Sequence, residues 1–213
     1  MNPNPCPLCE SVATEFYTNS MNRDYYRCKT CQLIFVPKIF LLEKSEEKKR
    51  YDFHDNRIDD PAYIAFLTQL FQPVVDRIKP NSMGLDFGSG PEPVLAQLFE
   101  KKGFKMNIFD PFYANNPEIF TKKFDFITLS EVAEHLYHPL QEFNRLLSLL
   151  NPKGYLAMMT LRTDSVKNFN NWHYQKDETH VCFYAKKTME YIAEIQHLSL
   201  EFLSDRVVIF QKI

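Results

Sequence analysis

The stretch MGLDFGSGPEP, residues 83–93, decides which fold this chain is expected to adopt. It begins with a short apolar run typical of a buried strand and then reaches Gly88 and Gly90. Glycine adopts backbone angles that a residue with a Cβ resists, so this pair predicts a tight turn. From Val94 onward, apolar residues recur at helical spacing. A strand, glycine turn and helix can hold a nucleotide-like ligand on free backbone N–H groups, although many sheets use such a turn and bind nothing.

A second predicted strand makes ligand binding the stronger interpretation. The sequence KMNIFD, residues 105–110, ends in an acid twenty residues after Gly90. In strand, turn, helix, strand units, an acid at this position can accept hydrogen bonds from both ribose hydroxyls of a nucleoside. Further strands are predicted at residues 124–129 and 155–160, with a helix from Pro139 between them. This alternation predicts a mostly parallel α/β sheet that binds ligands at the carboxyl ends of its strands.

Two C-x-x-C pairs near the start of the chain predict a metal site. Cys6 and Cys9 form the first pair, and Cys28 and Cys31 form the second. The spacing is typical of zinc ribbons, whereas cysteines that bind nothing or form disulfides are the alternative. Four cysteine ligands leave no open coordination position, so the zinc would be structural. A unit of about forty residues also has too little core to fold unaided. We therefore predict a zinc ribbon over residues 1–40.

The composition and charge limit the possible partners. The chain has 213 residues, 45% of them apolar, and a net charge of −2, which suits one α/β domain with a smaller unit. This charge gives no electrostatic reason to bind nucleic acid or a membrane. The opening residues do not resemble a secretion signal, and no apolar run reaches membrane-spanning length, so a cytoplasmic protein is expected. Charges in the ribbon are nearly balanced, which favours packing on the catalytic domain or shaping a substrate entrance over gripping RNA.

Residues 41–80 are predicted to form a linker and lid helices. A charge-dense segment is followed by Tyr51 and His54, and Pro61 then suits the first turn of an amphipathic helix. A helix in this place could cover the ligand site. Tyr51 and His54 are therefore candidate substrate contacts, although ordinary surface or packing roles are at least as common for such residues.

These motifs resemble those of class I S-adenosylmethionine-dependent methyltransferases. LDFGSGPEP is similar to the family's first motif, IFDP to its ribose-binding acid, FDFITLSEVAEHL to its fourth strand and loop, and NPKGYLAMMT to its fifth strand. The resemblance covers roughly residues 83–213 and implies, for a domain predicted over residues 81–213, a Rossmann-like sheet of seven strands, one of them antiparallel. It also implies a set of S-adenosylmethionine contacts: Asp86, Gly88, Ser89, Gly90, Asp110, Pro111, Ser130 and Glu131.

The chain departs from the family pattern in two places. The family usually has a third glycine two residues past the second, where this chain has Glu92 between two prolines. Residues 110–124 also leave little room for the family's third strand and its helix, so adenine contacts are hard to assign, and Phe112 is a candidate stacking partner. The ribbon lies outside the family core and is similar to ribbons ahead of some small-molecule, sugar and RNA methyltransferases.

The segment NNWHYQKDETHVCFY, residues 170–184, resembles one that faces the acceptor pocket in small-molecule methyltransferases. Trp172 and Tyr174 are therefore candidate substrate contacts. His180 is the leading candidate for a general base, because imidazole titrates near neutrality, and a structural role for this histidine is equally compatible with the sequence. Glu131 and His135 are rival bases.

The sequence thus predicts an enzyme that methylates a small molecule, such as a sugar nucleotide or natural-product intermediate, at oxygen, nitrogen or carbon. An RNA-base methyltransferase with the ribbon as its RNA grip is the enzymatic alternative. A methyltransferase-shaped binding module without catalysis is a third reading, and Glu92 in the glycine loop is its main support. The acceptor and the oligomeric state do not follow from the sequence.

Overall fold

The computed structural model of the protein describes residues 4–52 and 58–213, so the predicted substrate residue His54 lies outside the described residues. The described helices are α1 (Lys44–Tyr51), α2 (Pro61–Val75), α3 (Val94–Lys101), α4 (Pro139–Leu149) and α5 (Lys186–Ile195). The first described strands are β1 (Thr14–Ser20), β2 (Arg23–Cys28), β3 (Ile34–Phe35), β4 (Met83–Phe87) and β5 (Lys105–Phe109). They are followed by β6 (Phe124–Ser130), β7 (Leu150–Met159), β8 (Cys182–Phe183), β9 (Leu198–Phe202) and β10 (Val207–Lys212).

The larger sheet has the order β5-β4-β6-β7-β10-β9. Strands β4 to β7 are parallel, and β10 is antiparallel to both of its neighbours, which confirms the prediction of a Rossmann-like α/β sheet with one reversed strand. The sheet has six strands in the described part of the chain, not the predicted seven. Between Asp110 and Phe124 the chain forms an isolated bridge from Asp110 to Ala114 and the short 3₁₀ helix Pro117–Thr121, because about a dozen residues cannot supply a strand with its crossover helix.

Two apolar layers cover the faces of this sheet. Helices α2 and α3 bury one face through residues such as Leu70 and Phe99. The other face is covered by α4, α5 and the N-terminal residues 4–40, which are called the ribbon below. Their buried side chains form one continuous core with the sheet. The start of α2 follows the prediction, because Pro61 occupies its first turn and Asp60 accepts a 2.8 Å hydrogen bond from the Ala62 N–H.

The smaller sheet joins the ribbon to the distant part of the chain. Its order is β1-β2-β3-β8. Strand β8, which belongs to the predicted acceptor-pocket segment (residues 170–184, called the acceptor segment below), therefore completes the ribbon sheet. The Val36 N–H also donates to the Val181 carbonyl at 2.9 Å. The ribbon therefore packs on the rest of the protein, and the division into residues 1–40, 41–80 and 81–213 stays a prediction.

The helices of the described residues include none with the length and apolar character needed to span a bilayer.

Candidate cofactor and acceptor site

The turn that follows β4 has the backbone conformation that its two glycines predict. Gly88 and Gly90 have φ angles of +78° and +66°, in the left-handed region that favours glycine. A Cβ on Gly88 would lie 2.4 Å from a methyl group of Val132, so only glycine fits there without a rearrangement. A Cβ on Gly90 would meet no described atom within 4 Å. The turn is therefore packed on one side and open on the other, where a ligand can approach the backbone.

Asp110 lies directly against this turn, because β4 and β5 are adjacent parallel strands. Its Oδ2 accepts a 3.0 Å hydrogen bond from the Gly90 N–H. Its Oδ1 accepts hydrogen bonds from the backbone N–H groups of Phe112 (2.8 Å) and Tyr113 (3.1 Å). A carboxylate offers about four lone-pair sites, so one remains available for a ligand hydroxyl. The neighbouring Pro111 is exposed.

Glu92, the residue that departs from the family pattern, is exposed to solvent. Its backbone carbonyl accepts a hydrogen bond from the Val94 N–H at 2.8 Å, which leads the chain into α3. Glu92 is therefore not buried in the crevice between the turn and Asp110.

Asp86 is a buried residue of β4, two positions before Gly88. It accepts a 2.9 Å hydrogen bond from the Thr128 hydroxyl, and burial raises the pKa of its carboxyl group from 3.8 to about 6. Tyr63 of α2 lies on the same side, where burial raises its pKa to about 12 with further contributions from Asp86 and Glu131. Tyr63, near the start of α2, therefore lies close enough to Asp86 and Glu131 for their charges to act on it. The sequence patterns did not single out Tyr63, because it reads as part of an ordinary amphipathic helix.

The raised pKa of Asp86 predicts a pH-dependent stability. Because the folded protein holds this proton more tightly than the unfolded chain, the stabilising contribution is complete below pH 3.8 and is lost as the pH rises through about 6. Asn at this position keeps an oxygen for the Thr128 hydroxyl and carries no charge. We expect Asp86→Asn to be more stable than wild type by up to about 3 kcal/mol near pH 8 and equally stable near pH 4, as measured by urea unfolding. A stability difference that does not change with pH would contradict this.

Glu131 follows β6 in a strained conformation, with a φ of +52°. Its N–H donates to the Met159 carbonyl at 2.8 Å, and its carboxylate accepts a hydrogen bond from the Tyr174 hydroxyl. Arg206 Nη1 lies 3.6 Å from the other carboxylate oxygen. Burial raises the pKa of Glu131. Ser130, beside it, is half-buried and pairs with Met159 across the sheet.

Tyr174 and Trp172 stack on each other, with ring centroids 4.7 Å apart. Both are buried, and Trp172 also contacts the rings of Phe169 and Phe183. Tyr174 contacts Glu131 through its hydroxyl, whereas the rings that Trp172 contacts lie within residues 169–183. The structure thus places Tyr174 against Glu131 and Trp172 against Tyr174.

His135 and His180 lie side by side, with ring centroids 4.6 Å apart. The ring of His180 is 4.5 Å from that of Tyr174, and its Nε2 is 3.9 Å from Asp177 Oδ2. The His135 Nδ1–H faces the Thr179 carbonyl at 3.2 Å. The predicted base and one of its rivals therefore share one small cluster.

Glu134, a residue without a predicted role, belongs to the same cluster. Its side chain is 1% exposed, and one of its carboxylate oxygens lies within 4.8 Å of nitrogen atoms of His135 and His180. Burial raises the pKa of Glu134 well above its ordinary value, and Glu131 adds to the effect. The signal was present in the sequence EVAEH, where Glu134 stands between two predicted site residues.

Tyr51, at the end of α1, lies between the histidine cluster and the loop after β5. Its ring is 5.3 Å from that of His135 and 5.7 Å from that of Phe112. Its hydroxyl donates to Glu47 at 2.9 Å. Tyr51 is therefore near both the proposed acceptor region and the candidate adenine contact.

Arg23 of β2 connects the ribbon to the acceptor segment. It is 5% exposed, and its guanidinium donates hydrogen bonds to four backbone carbonyls. The acceptors are Glu178 (2.8 Å), Gln175 (3.0 Å), His180 (3.2 Å) and Asp177 (3.3 Å). No local pattern reveals this role, because the partners are more than 150 residues away in sequence.

The four ribbon cysteines are close enough together to bind one ion. The Sγ atoms of Cys6 and Cys31 are 3.5 Å apart, and those of Cys9 and Cys28 are 3.4 Å apart. A tetrahedral zinc with Zn–S bonds of about 2.3 Å has S–S separations of about 3.8 Å. All four are free thiols, and the hydrogen bond with Cys31 lowers the pKa of Cys6 to about 6. The cluster is thus compatible with zinc.

Comparison with known proteins agrees with the fold. Residues 56–198 match the family model described as a methyltransferase domain. The comparison with curated proteins found no match. A S-adenosylmethionine-dependent methyltransferase from Archaeoglobus fulgidus is 16% identical, with a TM-score of 0.50 over 70% of this chain and 99% of that chain.

Two further structures carry ligands in their crystals. The 1,6-didemethyltoxoflavin-N1-methyltransferase of Burkholderia thailandensis is 12% identical, with a TM-score of 0.55 over 93% of this chain and 99% of that one. The plantazolicin methyltransferase BpumL is 13% identical, with a TM-score of 0.52 over 80% of this chain and 92% of that one. Since the matching family model spans most of its length, the chain belongs to the methyltransferase-domain family, with the fold of S-adenosylmethionine-dependent methyltransferases, as its sequence predicted.

Proposed function

We propose that this enzyme transfers the methyl group of S-adenosylmethionine to a small-molecule acceptor. The observation that carries the proposal is the 3.0 Å hydrogen bond between the Gly90 N–H and Asp110, because it brings the two halves of an adenosyl site together. The 1,6-didemethyltoxoflavin-N1-methyltransferase was crystallised with 1,6-didemethyltoxoflavin and S-adenosylhomocysteine, and BpumL with a pentazolic desmethylPZN analog and SAH, which supports this substrate class.

The cofactor is proposed to lie across the open side of the glycine turn. Asp110 would accept a ribose hydroxyl, and Asp86 lies deep enough to face the positive amino group of the methionine part. Such charge pairing offsets the cost of burying the Asp86 carboxylate. The remaining proposed contacts are Gly88, Ser89, Gly90, Pro111, Ser130 and Glu131.

Methyl transfer from a sulfonium is an in-line displacement, so the protein must mainly align the acceptor and take up its proton. His180 is the proposed proton acceptor, with His135 in the same cluster and Glu131 beside Tyr174 as the alternatives. Tyr51, Trp172 and Tyr174 are proposed to shape the acceptor pocket together with His54.

Titration of the purified protein with S-adenosylmethionine in a calorimeter tests the proposal. Binding, followed by methyl transfer to a small hydroxyl or amine acceptor, supports it. No binding at about 1 mM cofactor would favour the inert module instead. The RNA-base alternative predicts RNA retention that weakens steeply with salt, whereas a flat salt response argues against phosphate contacts.

Replacing Asp110 is expected to weaken cofactor binding. Asp110→Ala removes both the ribose acceptor and the bond that holds the Gly90 N–H, so affinity for S-adenosylhomocysteine should fall by about tenfold or more. Asp110→Asn keeps one oxygen for the Phe112 and Tyr113 N–H groups and should lose less. Calorimetry gives the affinities, and thermal melts show whether the variants fold. Unchanged affinity in a folded Asp110→Ala protein would remove this residue from the site.

A further inference from the structure

We propose that Glu134, His135 and His180 bind a divalent metal ion next to the cofactor site. The inference rests on the proposed function and deepens it, because the ion would activate the acceptor. It is separate from the ribbon site, whose four ligands are all cysteines.

The three side chains converge on one point. One ligand atom from each lies within 4.8 Å of the others, and the two histidine rings are 4.6 Å apart. Ligands bonded to an ion at about 2.1 Å lie roughly 3–4 Å apart, so small side-chain shifts close the site. Two imidazoles and one carboxylate form a donor set that holds divalent transition metals and leaves positions open for a substrate.

The burial of Glu134 is an independent observation that points to a cation. Both of its carboxylate oxygens are buried, and neither has a hydrogen-bond partner in residues 4–52 and 58–213. The hydroxyls of Thr160 and Tyr174 lie nearby, but that of Tyr174 donates to Glu131. A buried carboxylate without partners is costly, and a bound cation would satisfy it.

The groups around the cluster orient its histidines as ligands. The His135 Nδ1–H faces the Thr179 carbonyl at 3.2 Å, so Nε2 is the ring nitrogen through which this histidine would bind an ion. Asp177, held by the backbone N–H and hydroxyl of Thr179, faces His180 Nε2 at 3.9 Å. Metal-binding histidines usually have such a carbonyl or carboxylate behind them.

An ion at this place would favour O-methylation of a hydroxyl acceptor. A metal-bound hydroxyl ionises more readily, and its proton would pass to the Glu131 carboxylate. The oxygen then bonds to the methyl carbon while the carbon–sulfur bond breaks, and the bonding electrons neutralise the sulfonium to give S-adenosylhomocysteine. His180 thus acts as a ligand in this scheme, and Glu131 takes the role of base.

Manganese titration of the full-length protein, with its ribbon loaded with zinc, tests the proposal. Free Mn²⁺ is followed by electron paramagnetic resonance. We expect wild type to bind one Mn²⁺ and Glu134→Gln and His180→Ala to bind it about tenfold or more weakly. His197→Ala removes an exposed histidine outside the cluster and should bind like wild type. Uptake of Co²⁺ should produce weak d–d bands without intense thiolate charge transfer.

The proposal is overturned if wild type binds no Mn²⁺ at about 1 mM, if both cluster variants bind it like wild type, or if the added Co²⁺ shows thiolate bands. If a variant fails to fold, the Mn²⁺ titration of the wild-type protein still tests the proposal. Calorimetry with S-adenosylhomocysteine separates the two proposals. Cofactor binding without metal binding would contradict only this inference. Metal binding without cofactor binding would contradict only the proposed function.

Discussion

Removal of zinc from the ribbon is expected to unfold the ribbon and to release the acceptor segment with it. We propose that the four cysteines hold one structural zinc, whose binding contributes on the order of 10 kcal/mol to folding in small zinc domains. Strand β3 pairs with β2 on one side and with β8 on the other, so loss of the ribbon removes the support of β8. Residues 175–183 should therefore become mobile even though the metal lies in the first part of the chain.

Two measurements check this result. Metal analysis should find one zinc bound with four-sulfur coordination, and hydrogen exchange after chelation should accelerate in residues 6–36 and 175–183 before it does in β4. Cys28→Ser should have the same effect as chelation. Cys182→Ala is the matched control, because Cys182 is a free buried thiol in β8 and does not belong to the four-cysteine cluster. Absence of zinc, or unchanged exchange near β8 after its removal, would show that this coupling is wrong.

The parts of the fold that were predictable from the sequence are those set by local chemistry. Gly88 and Gly90 require particular backbone angles, and Asp110 follows at the distance that adjacent parallel strands impose. The spacing of the four ribbon cysteines likewise predicted that their sulfur atoms lie close together. The absence of the family's third strand could be predicted from length, because the segment after Asp110 is too short to form a strand and the helix that would connect it to the next one.

Contacts between distant segments were not predictable in this way. Nothing near β8 in the sequence indicates that it pairs with β3. The hydrogen bonds of Arg23 are made to backbone carbonyl groups. Every residue carries such a group, so these contacts leave no pattern in the sequence. Glu134 was visible in the sequence, but its significance comes from burial beside two histidines that are 45 residues apart, and only the fold brings them together.

Arg23→Met is expected to cause the second large effect, a loss of turnover with the cofactor affinity nearly preserved. The substitution keeps the apolar stem and removes four charge-assisted hydrogen bonds to the carbonyls of residues 175–180. Buried carbonyls that lose such bonds cost about 1–3 kcal/mol each, so we expect the free energy of unfolding to fall by several kcal/mol. Arg23 is a positioning residue, because it holds the segment that carries His180 and has no hydrogen bond to the glycine turn or Asp110.

Arg27→Met is the matched control for this prediction. Arg27 lies on the same strand, but it is half-exposed and pairs with Glu15 at the surface, where an ion pair contributes less than about 1 kcal/mol. In Arg23→Met we expect kcat to fall about tenfold or more, while the Kd for S-adenosylhomocysteine changes by less than about threefold, because misplacement of the acceptor segment affects only the transfer step. Arg23→Lys should recover part of the stability, since an ammonium can reach some of the same carbonyls but lacks the planar fork of donors. If Arg23→Met matches Arg27→Met in both stability and kcat, the ribbon does not position the acceptor segment through this contact.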